Sequence, residues 1–210
     1  MTVVVTGYEP FGEFDRNPSA AVAERVDGAT VRGESVVGRV LPVEFDGIRA
    51  ELTALLDEHD PDLLVATGLA GGTPGIRVER VGVNVADAVT TPDNAERDPA
   101  DERIAGGPAA YFATLPTTAV VAELLDAGIP ARLSNTAGTH LCNDALYTGR
   151  HLVETEGYDA RVGFVHLPFD PEGAVAQGRE NGATRGGSVP ASLPLDVQER
   201  AIRLAIGTGL

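Results

Sequence analysis

The amino-acid sequence predicts an α/β fold in which helices cover both faces of one sheet. Short apolar runs that suit buried strands alternate along the chain with longer segments whose apolar residues recur at helical spacing. The sequence contains no internal repeat. A length of 210 residues, of which 43% are hydrophobic, suits a single domain over residues 1–210 with a substantial core.

The predicted elements follow from these runs and from the residues that end them. Strands are expected at residues 3–5, 35–43, 62–67, 131–134 and 160–165. Helices are expected at residues 20–26, 45–58, 118–127, 142–155 and 196–206. Asn17 or Ser19 can cap the first helix, and Gly128 can end the third. Residues 90–107 and 171–190 are interpreted as long loops, the first of them as a lid or an interface arm.

The charge of the chain is strongly acidic. Its formal net charge is −15 at pH 7, and all sixteen basic residues are arginine. Such acidity repels phosphates, so nucleic acid is not an expected partner. The simplest interpretation is a solvated acidic surface, and we expect adaptation to a salt-rich cytoplasm, where screening weakens self-repulsion.

The cysteine content and the N-terminal sequence indicate the cellular compartment of the protein. One cysteine cannot form an internal disulfide, which suits a reducing cytoplasm. The N-terminal M-T-V-V-V-T-G lacks a basic region and a cleavage site, so it is interpreted as a strand and not as a signal peptide. No apolar run approaches the length of a membrane span, and no membrane partner is expected.

Two loops that follow predicted strands are candidates for a ligand site. Tyr8, Phe11 and Phe14 lie within seven residues after the first strand, where open α/β sheets place their ligands. These aromatic side chains either form a pocket wall or close the end of the core. The glycine-rich turn at residues 68–75 matches neither a dinucleotide fingerprint nor a P-loop, so a nucleotide site is not expected.

The apolar alternation that follows this turn changes phase at Glu79-Arg80. Apolar residues alternate first as Ile76 and Val78 and then as Val81, Val83 and Val85. A one-residue shift turns every later side chain to the other face, so a bulge or a break between two strands is predicted there. Glu79 is therefore either a carboxylate aimed into a site or half of an ordinary Glu–Arg pair.

The only cysteine, Cys142, lies where a loop of small polar residues becomes a helix, in S-N-T-A-G-T-H-L-C-N-D-A-L-Y. The start of a helix carries unpaired backbone N–H groups and the positive end of the macrodipole. Both features favour the thiolate, which is the nucleophilic form of cysteine. The alternative is a small buried apolar side chain with no chemical role.

A catalytic cysteine needs a histidine base, and the chain has four histidines. His59 ends a helix on its solvent side, His140 is too close in sequence to face Cys142, and His151 lies on the opposite side of the same helix. His166 ends the strand that follows the cysteine helix. In a βαβ arrangement these two residues meet at one edge of the sheet, which favours His166 over a structural role.

Metal binding would need several ligands at a regular spacing. One cysteine and scattered histidines show no such pattern, so neither a metal nor an organic cofactor is expected.

Five blocks of the sequence resemble the pyroglutamyl peptidase I (pyrrolidone carboxyl peptidase) family. They are T-G-Y-E-P-F-G…N-P-S, G-L-A-G-G…E-R-V-G-V-N-V-A-D-A, G-P-A-A-Y-F-A-T-L-P, S-N-T-A-G-T-H-L-C-N and G-F-V-H-L-P-F. The likeness runs in order from about residue 2 to the C-terminal helix. It implies a nucleophile at Cys142, a base at His166 and a third member at Glu79, the same residues that the patterns indicate.

The resemblance also implies a three-layer α/β/α sandwich with a mixed sheet, as in purine nucleoside phosphorylases, and a cytosolic homotetramer. The implied substrate is a peptide whose N-terminal residue is pyroglutamate, a neutral five-membered lactam. Tyr8 and Phe11 would flank this ring, Asn17 would hold their loop, and Leu69 and Leu141 would complete the pocket, Leu69 through its backbone.

Four positions depart from the family pattern. Tyr8 replaces a more usual Phe, Leu69 a frequent Gln, Val89 a frequent Arg and His140 a frequent aromatic residue. The last two departures are expected to alter the polarity of the pocket or the rate, and all four leave the proposed triad intact. Two other functions stay open: a cysteine hydrolase of the same fold acting on another small amide, and a non-catalytic binder of a small, nucleoside-like ligand.

Overall fold

The computed structural model describes residues 1–88 and 90–210, so Val89 lies outside the described residues. The strands are β1 (Thr2–Tyr8), β2 (Thr30–Val31), β3 (Glu34–Leu41), β4 (Leu63–Leu69), β5 (Ile76–Glu79), β6 (Val81–Val83), β7 (Ala110–Phe112), β8 (Ala131–Ser134) and β9 (Arg161–Leu167). The helices are α1 (Pro18–Val26), α2 (Ile48–His59), α3 (Thr117–Asp126), α4 (Leu141–Glu156), α5 (Pro171–Glu180) and α6 (Leu195–Gly209), with a 3₁₀ turn at Ala183–Arg185.

The main sheet is mixed. Its strand order is β2-β3-β1-β4-β9-β5-β8. The central strands β3, β1, β4 and β9 are parallel, whereas β5 is antiparallel to β9 and parallel to β8. The predicted mixed sheet is therefore confirmed, and strand direction reverses between β2 and β3 and again between β9 and β5.

Two apolar cores lie on the two faces of this sheet. Helices α1, α3 and α6 pack on one face, where odd-numbered side chains of β1 and β4, such as Val5 and Val65, point. Helices α2 and α4 pack on the other face, where even-numbered side chains such as Leu64 and Phe164 point. This arrangement confirms the predicted three-layer sandwich with helices on both faces.

The break predicted at Glu79-Arg80 is confirmed. β5 ends at Glu79 in the main sheet, and β6 begins at Val81 in a separate ribbon with β7. The ribbon lies close against α4, since a Cβ on Gly82 would be 2.8 Å from the backbone N of Tyr147. Glu79 is consequently the last side chain of β5, fully buried on the α4 face.

Two sequence-based expectations about local structure are wrong. Residues 171–190 are not all loop, because α5 begins at Pro171, where the Asp170 carboxylate caps the helix by accepting a hydrogen bond from Gly173 N at 2.8 Å. The connection from β8 through α4 to β9 is not a parallel βαβ unit. β8 runs opposite to β9, with β5 between them, because β5 pairs antiparallel with β9.

A membrane-spanning helix is not found among the described residues, since none of their helices combines sufficient length with sufficient hydropathy.

Candidate active site

A row of functional side chains crosses the α4 face of the sheet. In the strand register Gly68 of β4 lies beside His166 of β9, and His166 lies opposite Arg77 of β5. Glu79, two residues further along β5, points to the same face and lies opposite Phe164. The row therefore joins an imidazole of β9 to a carboxylate and a guanidinium of the adjacent strand β5.

Cys142 lies in the first turn of α4, above this row. A Cβ built on Gly68 would be 2.7 Å from Cys142 Sγ, so the sulfur sits directly over the glycine beside His166. Cys142 and His166 line the same cleft. The helix runs back along β9, so its start lies at the strand end that carries His166 even though β8 is antiparallel to β9.

The predicted partners of the cysteine are brought together. His166 Nδ1 lies 2.8 Å from Glu79 Oε1, and the two side chains are 6% and 0% exposed. Because a carboxylate only accepts hydrogen bonds, Nδ1 carries the proton and Nε2 is left for the sulfur. Burial alone would lower the pKa of His166, but the Cys142 thiolate and the Glu79 carboxylate outweigh it and raise that pKa to about 9.

The start of α4 offers donors to a developing negative charge. His140 is its N-cap residue and makes no side-chain capping bond. Within the described residues the first intrahelical donor is Asp144 N, which bonds His140 O at 3.1 Å, and the preceding N–H groups have no acceptor. The backbone N–H of Cys142 is among these groups and lies beside its own sulfur.

A narrow, mainly apolar pocket opens on one side of Cys142. It holds about 250 Å³, including the space at its mouth. Its lining contains the five residues predicted to bind substrate: Tyr8, Phe11, Asn17, Leu69 and Leu141. Phe14 is not among the lining residues; it packs edge-on against Phe11 and Phe169 and supports the wall from behind.

Hydrogen bonds fix the loop that forms this pocket wall. Asn17 accepts from the backbone N and the hydroxyl of Ser19 and donates to Glu9 O, while Ser19 Oγ accepts from Tyr8 N. The Tyr8 hydroxyl donates to Leu141 O at 3.0 Å, next to the nucleophile. The additional hydroxyl that distinguishes Tyr8 from Phe thus ties the pocket wall to the start of α4.

Val43 and His140 also line the pocket; the family resemblance had placed His140 there, whereas sequence reasoning did not assign Val43 to it. The His140 ring stacks near Phe11 and meets Phe45 edge-on, and its Nε2 lies 3.0 Å from Thr91 O. Burial lowers the pKa of His140 below its ordinary value, so a neutral ring faces the pocket. The aromatic residue that is frequent at this position in the family was the only sequence feature that indicated a pocket role for His140.

A wider, more polar cleft opens on the other side of the sulfur. It holds about 1,040 Å³ and includes part of the loop between β8 and α4. Arg77, His166, Asp87 and the threonines at positions 90, 91, 136 and 139 contribute to its walls. Cys142 lies between a narrow apolar pocket and a wider cleft with more polar groups, and Phe11, Leu69 and His140 line both.

Metal ligands are not clustered in the described part of the chain, where no three His, Cys, Asp or Glu side chains are arranged to hold an ion. The predicted Val89 departure lies outside the described residues.

The fold and site together have the parts of a thiol hydrolase: a cysteine, a buried imidazole oriented by a carboxylate, and free N–H groups. Residues 1–210 match the family model described as pyroglutamyl peptidase, and the chain belongs to that family.

Named relatives agree with this family. The pyrrolidone-carboxylate peptidase of Chromobacterium violaceum is 48% identical over 210 residues, covering all of this chain and 92% of the relative. That of Thermococcus onnurineus is 47% identical over 180 residues, covering 85% of this chain and 89% of the relative. The structure of a mutant pyrrolidone carboxyl peptidase from Pyrococcus furiosus superposes with a TM-score of 0.93 at 38% identity, covering 100% of this chain and 98% of the other.

Proposed function

We propose that this chain is a cysteine exopeptidase that removes N-terminal pyroglutamate from peptides, with Cys142 as nucleophile, His166 as acid and base, and Glu79 as the orienting carboxylate. The observation that carries the proposal is the position of the sulfur. It lies over Gly68 between the Glu79–His166 pair and a small apolar pocket. Family membership supplies the substrate class.

The pocket suits an uncharged ring. A pyroglutamyl lactam has an apolar carbon frame and one amide, and it needs apolar walls with a few hydrogen-bond partners. Tyr8, Phe11, Leu69 and Leu141 give such walls to the narrow pocket. Backbone groups near Leu69 are the proposed partners of the lactam amide.

Acylation begins when the Cys142 thiolate attacks the carbonyl carbon that links pyroglutamate to the next residue. The resulting oxyanion is held by the N–H groups at the start of α4, and one such donor contributes about 2.7–4 kcal/mol. The C–N bond then breaks while the protonated His166 Nε2 gives its proton to the leaving amine. The products are the shortened peptide and a pyroglutamyl thioester on Cys142.

Deacylation reverses the roles of the imidazole. Neutral His166 takes a proton from a water molecule, whose oxygen attacks the thioester carbonyl. The C–S bond breaks, pyroglutamate leaves, and the thiolate–imidazolium pair is restored. Glu79 holds the Nδ1 proton throughout, so the same ring nitrogen faces the reacting atoms in both halves.

The wide cleft accommodates the leaving peptide in this proposal. The scissile bond lies at the sulfur and the ring fills the narrow pocket, so the rest of the peptide extends toward Arg77 and Thr136. The α-nitrogen of pyroglutamate is closed into the lactam ring, so no residue precedes it and cleavage is restricted to the N-terminus.

The domain extent, the compartment and the oligomeric state are proposed together with this activity. Residues 1–210 form one catalytic domain, in line with the extent of the family match. The protein works in the cytoplasm, where its single free thiol stays reduced. It assembles as a homotetramer, an expectation that the family resemblance alone supports and that light scattering would test.

The test is hydrolysis of a chromogenic pyroglutamyl amide, measured beside the matching prolyl and glutamyl amides at low and molar salt. We expect turnover of the pyroglutamyl amide and not of the other two. Preferential cleavage of the prolyl or glutamyl compound would favour a hydrolase for another amide. A non-catalytic binder would be favoured if there were no turnover, if iodoacetamide alkylated Cys142 only slowly, and if a pyroglutamyl aldehyde gave no protection from that alkylation.

A further inference from the structure

Arg77 occupies a place in the site that the triad does not explain. It lies directly opposite His166 in the antiparallel β5–β9 pair. Residues in this relation have Cβ atoms about 5 Å apart. Its side chain is only 17% exposed, yet it belongs to the wall of the leaving-group cleft.

The Arg77 guanidinium is held by three acceptors. Its Nη2 lies 3.1 Å from Glu79 Oε1, 3.0 Å from Ser134 Oγ and 2.7 Å from Thr136 O. The latter two belong to the end of β8 and the loop that leads to Cys142. Arg77 thus connects the carboxylate of the triad to the segment that carries the nucleophile.

Arg77 and His166 share one carboxylate oxygen. His166 Nδ1 also lies 2.8 Å from Glu79 Oε1, while Glu79 Oε2 is buried without a hydrogen-bond partner among the described residues. One oxygen therefore serves two cationic donors. Each donor draws on the same negative charge, and each limits how strongly the other is held.

We propose that Arg77 is a positioning residue of the peptidase reaction, which fixes the Glu79 carboxylate and limits how tightly that carboxylate holds the imidazolium of His166. The inference rests on the proposed function. Its consequence is chemical: an imidazolium that is held less tightly gives its proton to the leaving amine more readily.

The charged and titratable surroundings of His166 allow this role to be measured. They comprise Glu79 and Arg77 on β5, Arg132 beside Arg77 on β8, Cys142 on α4, and His140 and the exposed Asp87 of the cleft. Arg77 alone among these cations contacts Glu79. Removing its charge should favour the imidazolium and weaken it as an acid.

The experiment compares Arg77→Met and Arg77→Lys with Arg80→Met. Arg80→Met is the control, because it removes the same charge one residue after Glu79. The Arg80 side chain is exposed, and its Nη1 contacts only Asn135 Oδ1 among the described residues. In Arg77→Met we expect kcat for the pyroglutamyl amide to fall roughly 10- to 100-fold, with KM nearly unchanged. The alkaline limb of the pH profile should move up by about one pH unit. Arg77→Lys should restore the limb and part of kcat, and Arg80→Met should match the wild type.

Other outcomes would overturn the inference. The first is an Arg77→Met variant whose kcat and alkaline limb equal those of the wild type. The second is an Arg80→Met variant that shows the same changes as Arg77→Met. The third is an effect of Arg77→Met on KM alone, which would make Arg77 a contact of the leaving group. Circular dichroism establishes that each variant is folded, and Arg77→Gln, which also lacks the charge, takes the place of Arg77→Met if that variant does not fold.

Failure of the proposed function is distinguishable from failure of this inference. Turnover that survives in Cys142→Ala would end the triad proposal whatever Arg77 does. The pH dependence of Cys142 alkylation by iodoacetamide reports the thiolate–imidazolium pair without any turnover. An alkaline limb of alkylation that is the same in wild type and Arg77→Met would end the Arg77 inference alone.

Discussion

The two sides of the Cys142 sulfur differ in size, polarity and construction. The pocket on one side is narrow and has apolar walls, and a chain of hydrogen bonds through Asn17, Ser19 and Tyr8 fixes those walls. The cleft on the other side holds about 1,040 Å³ and contains threonines, Arg77 and an exposed Asp87. We therefore expect the ring side to select the substrate, while the peptide side accepts different residues.

Replacement of Cys142 removes the nucleophile that the two sides of the site share. Cys142→Ser should lower kcat/KM by more than about 10⁴-fold on every pyroglutamyl substrate, because a serine hydroxyl beside this imidazole is a far weaker nucleophile than a thiolate. Its melting temperature should stay within a few degrees of wild type. A fully active serine variant would remove the basis for dividing the site at the sulfur.

Variants of His166 and Glu79 separate the loss of proton transfer from the loss of orientation of the imidazole. His166→Ala removes the proton carrier and should lower kcat by about 10³-fold or more, whereas Glu79→Gln leaves the imidazole in place and should cost less. Steady-state rates on one pyroglutamyl amide measure both. Equal losses would indicate that Glu79 does more than orient the ring.

The pH profile should fall on its alkaline side independently of the leaving peptide. With the pKa of His166 raised to about 9, kcat/KM should decline about tenfold per pH unit above that value as the imidazolium is lost. The folded-state pKa exceeds the ordinary value of 6.5, so the stability that this charge contributes is also lost as pH rises through 9. Profiles that differ between short and long leaving groups would place the titrating group in the cleft instead.

A matched pair of variants tests the asymmetry of the two sides directly. Val43→Ala trims a side chain that lines the pocket but not the cleft, and it should lower kcat/KM roughly 10-fold, mostly through KM, because about 1.6 kcal/mol of apolar contact is lost. Asp87→Ala, on the exposed side of the cleft, should change it less than about threefold. Comparable effects in both variants would contradict the division of roles.

The smallest expected effect concerns the tie between the pocket and the nucleophile. Tyr8→Phe removes the bond from the Tyr8 hydroxyl to Leu141 O and should cost about 1 kcal/mol of unfolding free energy, with a change in kcat of a few-fold. Denaturant titration and rates on the pyroglutamyl amide measure the two quantities. Unchanged stability would show that the Leu141 carbonyl finds another donor.

Local sequence patterns predicted the elements that carry the site. The phase change at Glu79-Arg80 marked the end of β5, and the loop-to-helix transition marked the position of Cys142. His166 was reached through an expected parallel βαβ unit, which the structure contradicts. The choice still agrees with the structure because α4 itself runs back along β9, so its start meets the end of that strand whichever way β8 points.

The remaining features depend on contacts distant in sequence. Pairing of β5 with β9 joins residues about 90 positions apart, and no local signal sets its direction. Helix α5 contains Gly173 and Gly178, which weaken any helical pattern, and it is stabilised by the Asp170 cap and by ion pairs from Arg16. Val43 enters the pocket from the end of another strand, so only the folded chain assigns it there.

Gly68 gives the site a requirement that no chemical role would reveal. Its hydrogen atom leaves the room that the sulfur occupies, and even the methyl group of alanine would collide with Sγ and with the Phe164 ring. A saturation scan should therefore find a position as intolerant as the nucleophile itself, whose variants fold yet lose activity. Directed evolution toward new substrates would have to leave this position unchanged while it varies the surrounding walls.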